Sequence, residues 1–473
     1  MLQIKFLIWQ TKTELMSEDQ KRVETGEERA APQKRKRDLT PAERVGLLQE
    51  KLYCKAKQER EYKFYILYDK MFIPYMLREA YQRVKAKGGA PGVDGRDFAD
   101  IEEYGRERFL SELGDELRRR IYKPQAVKRV WIDKANGGKR PLGIPTIRDR
   151  VAQMVCKMIV EPIFEADFED SSYGFRPQRS SANAMKAVRE HLKEGRTEIL
   201  DADLSSYFDT IPHEKLMRVL EMRIADKRML HLIGLWLKCP VYEDGQFKGG
   251  RKRKTGTPQG GVISPLLANI YLHLVDRLVN RRGGVFERAG IRIVRYADDF
   301  VLLGRELTDE AMEKLRSVLD RMELKLNEQK TRRIQAKDTA FSFLGFTVRY
   351  DRDYYNRKDR RYWNIVPSAK SEKKVREKIR EFLRRGGHFP PQRVADGLNA
   401  IVRGWLNYFD IPKVSYPAMS GRRLRHYLLN RLNRYYNRKS QRRSRLHGTQ
   451  AYDLLVRQYG LIDPTKHRVK HSL

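Results

Sequence analysis

The segment Ile291-Arg-Ile-Val-Arg-Tyr-Ala-Asp298-Asp299-Phe-Val-Leu-Leu303 sets paired carboxylates between two apolar, β-rich runs. That pattern puts the acids at a hairpin turn. Asp-Asp in a turn is ordinary on its own, because aspartate suits turns chemically. A second segment, Glu198-Ile-Leu-Asp201-Ala-Asp203, reads as a strand ending in acids. Alternation places Ile199, Asp201 and Asp203 on one face. Three carboxylates from two strands can hold two divalent ions about 3.5–4 Å apart, one activating a hydroxyl and one stabilising a leaving phosphate oxygen. Mg²⁺ suits that work because it prefers oxygen ligands and shares them with substrate phosphates; Mn²⁺ is its substitute. Asp203, Asp298 and Asp299 are the set expected to do this chemistry. Asp201 reads as a support for them, and Asp209 as a cap on the turn into Ile211-Pro212-His213.

A triphosphate also needs positive charge. Lys134 and Lys139-Arg140 flank the turn Asn136-Gly137-Gly138, within reach of a nucleotide if the segment is a hairpin; a plain exposed basic hairpin is the alternative. Gly256-Thr-Pro-Gln259-Gly260-Gly261 leads into Ser264-Pro265, a glycine-rich loop that a base pair could approach closely. It is not a Walker loop, since no Lys-Ser/Thr follows the glycines.

The elements that must position these residues are legible in outline. Thr40-Pro41 has the form of an N-cap followed by a first-turn proline, and Gly88–Gly95 is a loop. From 123 to 344 strands and helices mix. Ala126–Ile132 is extended, Ser264-Pro265 starts a helix with Leu267, Ile270, Tyr271, Leu274 and Leu278 on one face, and Thr308 starts another with Met312, Leu315, Leu319 and Met322 buried. Past Tyr350 the chain is mainly helical, and this shift is the expected domain boundary.

The chain has 473 residues, net charge +36 and 40% hydrophobic residues, enough for about two to four domains with real cores. So large a positive excess points to a polyanion. No apolar run approaches the roughly 20 residues needed to span a bilayer. The short apolar start, Met1–Trp9, is followed by acids, unlike a signal or transit peptide. Cys54, Cys156 and Cys239 lie far apart, which argues against a disulfide scaffold or a cysteine zinc site. The default is a cytoplasmic protein. Residues 351–473 hold 30 Lys and Arg against 10 Asp and Glu, and no acid occurs from Ile411 to Tyr452. Leu424, Tyr427, Leu428, Leu432 and Tyr435 recur there at helical spacing, so this end reads as a folded nucleic-acid binder.

At this point the blocks resemble a group II intron reverse transcriptase/maturase. Those that carry the resemblance are Tyr296-Ala-Asp-Asp299, Asp203 with Tyr207-Phe208-Asp209, and Thr257–Tyr271. Gly89–Gly95, Gly138–Pro145, Tyr173-Gly-Phe-Arg-Pro177, Phe343-Leu-Gly-Phe346 and Arg403-Gly-Trp-Leu-Asn-Tyr408 agree. The match covers about residues 40–430. It implies an α+β right-hand polymerase, with fingers and palm on an antiparallel sheet, followed by a helical thumb/maturase domain. The segments would be a disordered charged 1–39, a helical extension and start of fingers at 40–122, fingers and palm at 123–346, thumb and maturase domain at 347–425, and a basic nucleic-acid-binding 426–473.

By that resemblance the Leu204 carbonyl completes one metal site and Lys134 and Arg140 meet the triphosphate. Phe208 or Tyr207 gates the sugar, Gln259 lines the nascent base pair, and Lys330 donates a proton to the leaving pyrophosphate. Arg403, Trp405 and Tyr408 would touch RNA. The implied partners are group II intron RNA, an RNA template with a DNA primer, and target DNA; the oligomeric state stays open. No His-Asn-His pattern and no cysteine follow Cys239, so an endonuclease is not expected. Rival readings are a splicing-only maturase with a vestigial site, and a domesticated relative serving repair, immunity or CRISPR spacer capture. The three retained aspartates and the segment around Trp405 favour the polymerase-maturase.

Overall fold

The computed structural model describes residues 39–133, 138–250, 253–257, 260–353 and 360–466; the expectations for 1–38, Lys134 and Gln259 lie outside these. Helix α1 (Pro41–Gln58) opens as the sequence implies, with the Thr40 side chain capping Glu43 and Pro41 in its first turn. Helices α2 (Pro74–Lys87), α3 (Phe98–Tyr104) and α4 (Arg106–Arg119) follow. Strands β1 (Val127–Asp133) and β2 (Lys139–Ile144) then form an antiparallel hairpin. Helix α5 (Ile147–Glu165) is buried nearly all round, as befits the centre of a large core.

Helix α6 (Ser181–Lys193) leads to β3 (Glu198–Ala202). Helices α7 (His213–Glu221) and α8 (Lys227–Leu237) precede strands β4 (Pro240–Glu243) and β5 (Gln246–Gly249). These strands join the hairpin as a sheet of order β2-β1-β4-β5. Helix α9 (Ser264–Asn280) is the expected one, with Pro265 in its first turn and an almost wholly buried surface. The hairpin β6 (Arg292–Tyr296) and β7 (Asp299–Gly304), then α10 (Asp309–Arg321) and β8 (Arg332–Gln335), complete a second sheet of order β6-β7-β3-β8. A third sheet holds β9 (Phe341–Phe343), β10 (Phe346–Arg352) and β11 (Arg361–Pro367) in the order β11-β10-β9. Helices α11 (Ala369–Arg385), α12 (Pro391–Phe409), α13 (Ala418–Tyr436) and α14 (Ala451–Gln458) close the described chain.

The second sheet separates two cores, because successive strand residues face opposite sides. Leu200, Ala202, Phe300 and Leu302 pack with α5 and α9. Ile199, Val301 and Leu303 pack on the other side with Phe346, Trp405 and Leu428. That second core draws on residues both before and after 346, where the domain boundary was expected. Among the described residues, no helix is long and apolar enough to cross a membrane.

Candidate active site

The carboxylates meet where three strand ends converge. Tyr296 pairs with Asp299 across the β6–β7 hairpin, which leaves Ala297 and Asp298 as a two-residue turn. Ala297 takes φ 60°, the position glycine usually fills in such a turn. An alanine there costs about 1 kcal/mol, so the surroundings must impose it. The β3–β7 register pairs Ala202 with Phe300; Asp203 and Asp299 are therefore the next neighbours across the same ladder. The residue types brought together are the three expected from the sequence, with Asp201 two positions back on β3.

What imposes the turn is a buried cluster that sequence reading missed. Arg295 is 0% exposed, as is Asp276 on α9, and the two share a bidentate ion pair, with Nη2 2.5 Å from Oδ2 and Nε 2.8 Å from Oδ1. The same guanidinium donates from Nη1 to Asn269 Oδ1 and to the Ala297 carbonyl, both at 2.9 Å. Asn269 in turn donates to the Gly174 carbonyl at 2.7 Å. Gly174 lies so close that a Cβ on it would be 2.2 Å from the Ala297 nitrogen. The strand edge is paired as well, with the Tyr173 amide donating to the Arg295 carbonyl at 2.8 Å. A signal did exist: Asn269 and Asp276 are seven apart in an apolar helix, on one face, and Arg295 interrupts an apolar strand.

The site is electrostatically strained in the direction a cation relieves. Loss of water, then the charges of Asp298, Asp203 and Asp201, push the Asp299 carboxyl up to about 6. Asp201 is pushed up to about 6 by burial and then by Asp203. Asp298 is raised by burial, with Arg140 opposing, so the β2 arginine is near enough to act on the turn. Lys330 donates to Asp203 Oδ2 at 2.8 Å. Its segment is held there because the Asn327 amide donates to the Asp203 carbonyl and the Ser205 amide to that of Lys325. Leu204 bridges Leu326 in the same pairing. Among the described residues no three carboxylate, imidazole or thiol groups converge on one ion as placed. The donors are nevertheless all oxygens on adjacent strand ends whose mutual repulsion a hard divalent cation would neutralise; the set fits such ions.

The two aromatic gate candidates part company. Tyr207 is 2% exposed and its hydroxyl donates to the Ala268 carbonyl on α9 at 2.6 Å, so it is a core residue. Phe208 is 9% exposed, and its carbonyl accepts from the Thr257 amide at 2.7 Å. That bond ties it to the glycine-rich loop. The loop itself abuts the first sheet: a Cβ on Gly260, at φ 110°, would be 2.1 Å from the Gly143 carbonyl oxygen. Asp209 lies beside Arg129 and Arg253 in a small cleft.

On α12, Arg403 is exposed. Trp405, expected at an RNA surface, is instead 9% exposed and packs at a tilt against the Phe409 ring, because it falls on the apolar face of an amphipathic helix. Tyr408 is 41% exposed, and its hydroxyl donates to the Leu344 carbonyl at 3.0 Å.

Comparison with known proteins gives two family matches. Residues 132–348 match "Reverse transcriptase (RNA-dependent DNA polymerase)", and residues 372–452 match "Group II intron, maturase-specific domain". The chain is 36% identical over 334 residues to Protein YkfC of Escherichia coli K12, covering 63% of this chain and 86% of that protein. It is 38% identical over 223 residues to the Group II intron-encoded protein LtrA of Lactococcus lactis subsp. cremoris, covering 47% of this chain. The match takes in about a third of LtrA's own length, 36%. A solved structure titled "Partial Cas6-RT-Cas1--Cas2 complex" aligns at 19% identity and TM-score 0.33, over 54% of this chain and 42% of that one, a likeness too slight to argue from.

Proposed function

The chain belongs to the group II intron-encoded reverse transcriptase/maturase family, and we propose on that footing that it is an RNA-directed DNA polymerase. In this reading it also binds group II intron RNA, promotes its splicing and copies it into DNA. The observation that carries the polymerase reading is the juxtaposition of Asp203 with the Asp298-Asp299 turn across one strand ladder, within reach of the Arg140 charge.

The reading assigns a right-hand arrangement. The first sheet and the helices before it act as fingers, the second sheet with α5 and α9 as palm, and α11 to α14 as thumb and maturase domain. Asp203, Asp298, Asp299 and the Leu204 carbonyl would hold two Mg²⁺ ions, which when bound supply Lewis acidity to the primer hydroxyl and the leaving pyrophosphate. The protein's own groups do the rest. Arg140, whose charge already reaches Asp298, and Lys134 meet the triphosphate. Phe208 stands at the sugar, supported by the burial of Tyr207. Gln259 lines the base pair. Lys330, bonded to Asp203, is the proposed proton donor to the leaving pyrophosphate. Arg403 contacts intron RNA from the exposed side of α12. The template is RNA, the primer DNA, and target DNA follows along the basic end, in the cytoplasm.

Primer extension on an RNA template with Mg²⁺ and dNTPs tests this. The intact chain should extend, and Asp298→Ala should reduce the rate by at least about 10²–10³-fold, the scale of losing one preorganised charge at the reacting centre. No extension by the intact chain would sink the polymerase reading; undiminished extension by the variant would sink the site.

A further inference from the structure

The glycine-rich loop is tied to the segment that follows Asp203 by a short ladder. The Thr257 amide donates to the Phe208 carbonyl at 2.7 Å, the Gly256 amide to that of Ile211 at 2.8 Å, and the His213 amide to that of Lys254 at 2.9 Å. Pro212 and Thr255 pair between them. Gly256 is left-handed at φ 86°, and a Cβ on it would be 2.8 Å from the Asp209 carbonyl oxygen. Glycine meets both demands, the backbone conformation and the close approach.

One side chain closes this ladder. His213, the first residue of α7, is 5% exposed, and its ring Nε2 lies 2.7 Å from the Gly256 carbonyl oxygen. A carbonyl only accepts, so Nε2 carries the proton and donates it. Nδ1 is buried and makes no hydrogen bond among the described residues, so the ring's hold on the loop rests on one nitrogen. An apolar residue would fill this position without leaving a buried ring nitrogen unpaired; what the histidine adds is the bond to Gly256. The loop is pinned at its other end too, where a Cβ on Gly260 would be 2.1 Å from the Gly143 carbonyl oxygen. Gln259 lies between these two pinned ends in the chain.

We propose that His213 is a positioning residue for nucleotide selection: its Nε2–H fixes the Gly256 carbonyl and so holds the entry of the glycine-rich loop in register with Phe208, where the loop meets the nascent base pair. The inference rests on the polymerase reading above. The imidazole acts through the loop, as a brace behind it.

The test uses the full chain with an annealed RNA template and DNA primer, adding single matched or mismatched dNTPs. A glutamine amide nitrogen sits about as far along its side chain as Nε2, an asparagine one only as far as Nδ1. His213→Gln should therefore keep the wild-type KM for the matched dNTP and the wild-type preference over the mismatch. His213→Asn should raise that KM about fivefold, the equivalent of one neutral hydrogen bond, and lower the preference. Its kcat and its KM for the annealed primer should change less. Melting temperatures taken beside the rates keep both assays on folded protein. Wild-type KM and preference in His213→Asn would overturn the inference. So would equal losses in the two variants, or a rate that falls with the folded fraction at unchanged KM, since either makes the histidine structural. Extension by the wild type with a neutral His213→Asn removes only this inference, whereas a wild type that extends nothing removes the polymerase reading and this inference together.

Discussion

A single hydroxyl separates the surroundings of two neighbouring aromatics, and the proposed gate follows from that difference. By sequence, Tyr207 and Phe208 are equivalent as sugar gates, since each follows Asp203 closely and each is flat and bulky. In the folded chain Tyr207 spends its hydroxyl on the Ala268 carbonyl and its ring on the core. Phe208 is buried in the same core but has no polar group to spend, and its backbone is tethered to Thr257 of the glycine-rich loop. Phe208→Val should therefore admit ribonucleotides, raising rNTP against dNTP incorporation by about tenfold or more, the scale of a methylene-sized change in a pocket. Tyr207→Phe should leave that ratio unchanged and cost about 1 kcal/mol of stability, since it removes one buried hydrogen bond. Single-nucleotide incorporation assays with each substrate read both. A ratio that moves with Tyr207 and not with Phe208 would reverse the assignment.

The Asp298-Asp299 hairpin is an element whose shape is not its own. Its turn needs φ 60° at an alanine, and that conformation is enforced from α9 through Asp276 and Arg295 and from the 171–175 segment through Gly174. Breaking a fully buried ion pair costs about 3–5 kcal/mol, because the surviving charge is stranded. Asp276→Asn keeps the shape and a hydrogen-bonding oxygen but strands the Arg295 charge. It should lower the unfolding free energy within or just below that range and reduce extension more than the lost folded fraction explains. Gly174→Ala should do the same sterically, since its new methyl would overlap the turn. Denaturant melts beside extension rates separate the two effects. Activity that tracks only the folded fraction would make this cluster structural.

At the scale of the whole molecule the second core joins the two functional halves. Val301 of the second sheet, Phe346 at the expected boundary, and Trp405 and Leu428 beyond it pack together. Cutting near residue 350 would expose that apolar face, so point changes in the exposed charge are the cleaner probe of RNA binding. Helices α11 and α13 line a groove of about 690 Å³ with Arg376, Arg380, Arg423, Arg431 and Arg434. Buried Glu372 holds Arg376 and Arg423 in place at 3.2 and 3.3 Å. Intron RNA binding should weaken steeply with salt, and replacing Arg380 or Arg431 with alanine should lower the slope by about 1 for each phosphate left unneutralised. Titrations at several ionic strengths check this, and slopes equal to the wild type would move the RNA to another face.

The amino-acid sequence alone determined the local features. The strand-turn-strand around Asp298-Asp299, the strand ending at Asp203, the capped helix from Thr40 and the apolar helices from Ser264 and Thr308 follow from periodicity and turn chemistry, which act over a few residues. The charge count determined the class of partner. Tertiary structure decided what depends on residues far apart in the chain. It set Asp203 beside Asp299, Arg295 inside α9's polar notch, Tyr207 in the core and Tyr408 on the Leu344 turn. Those outcomes depend on which faces bury together, and an aromatic or charged side chain has the same local signature whether it ends in a core or at a reacting centre.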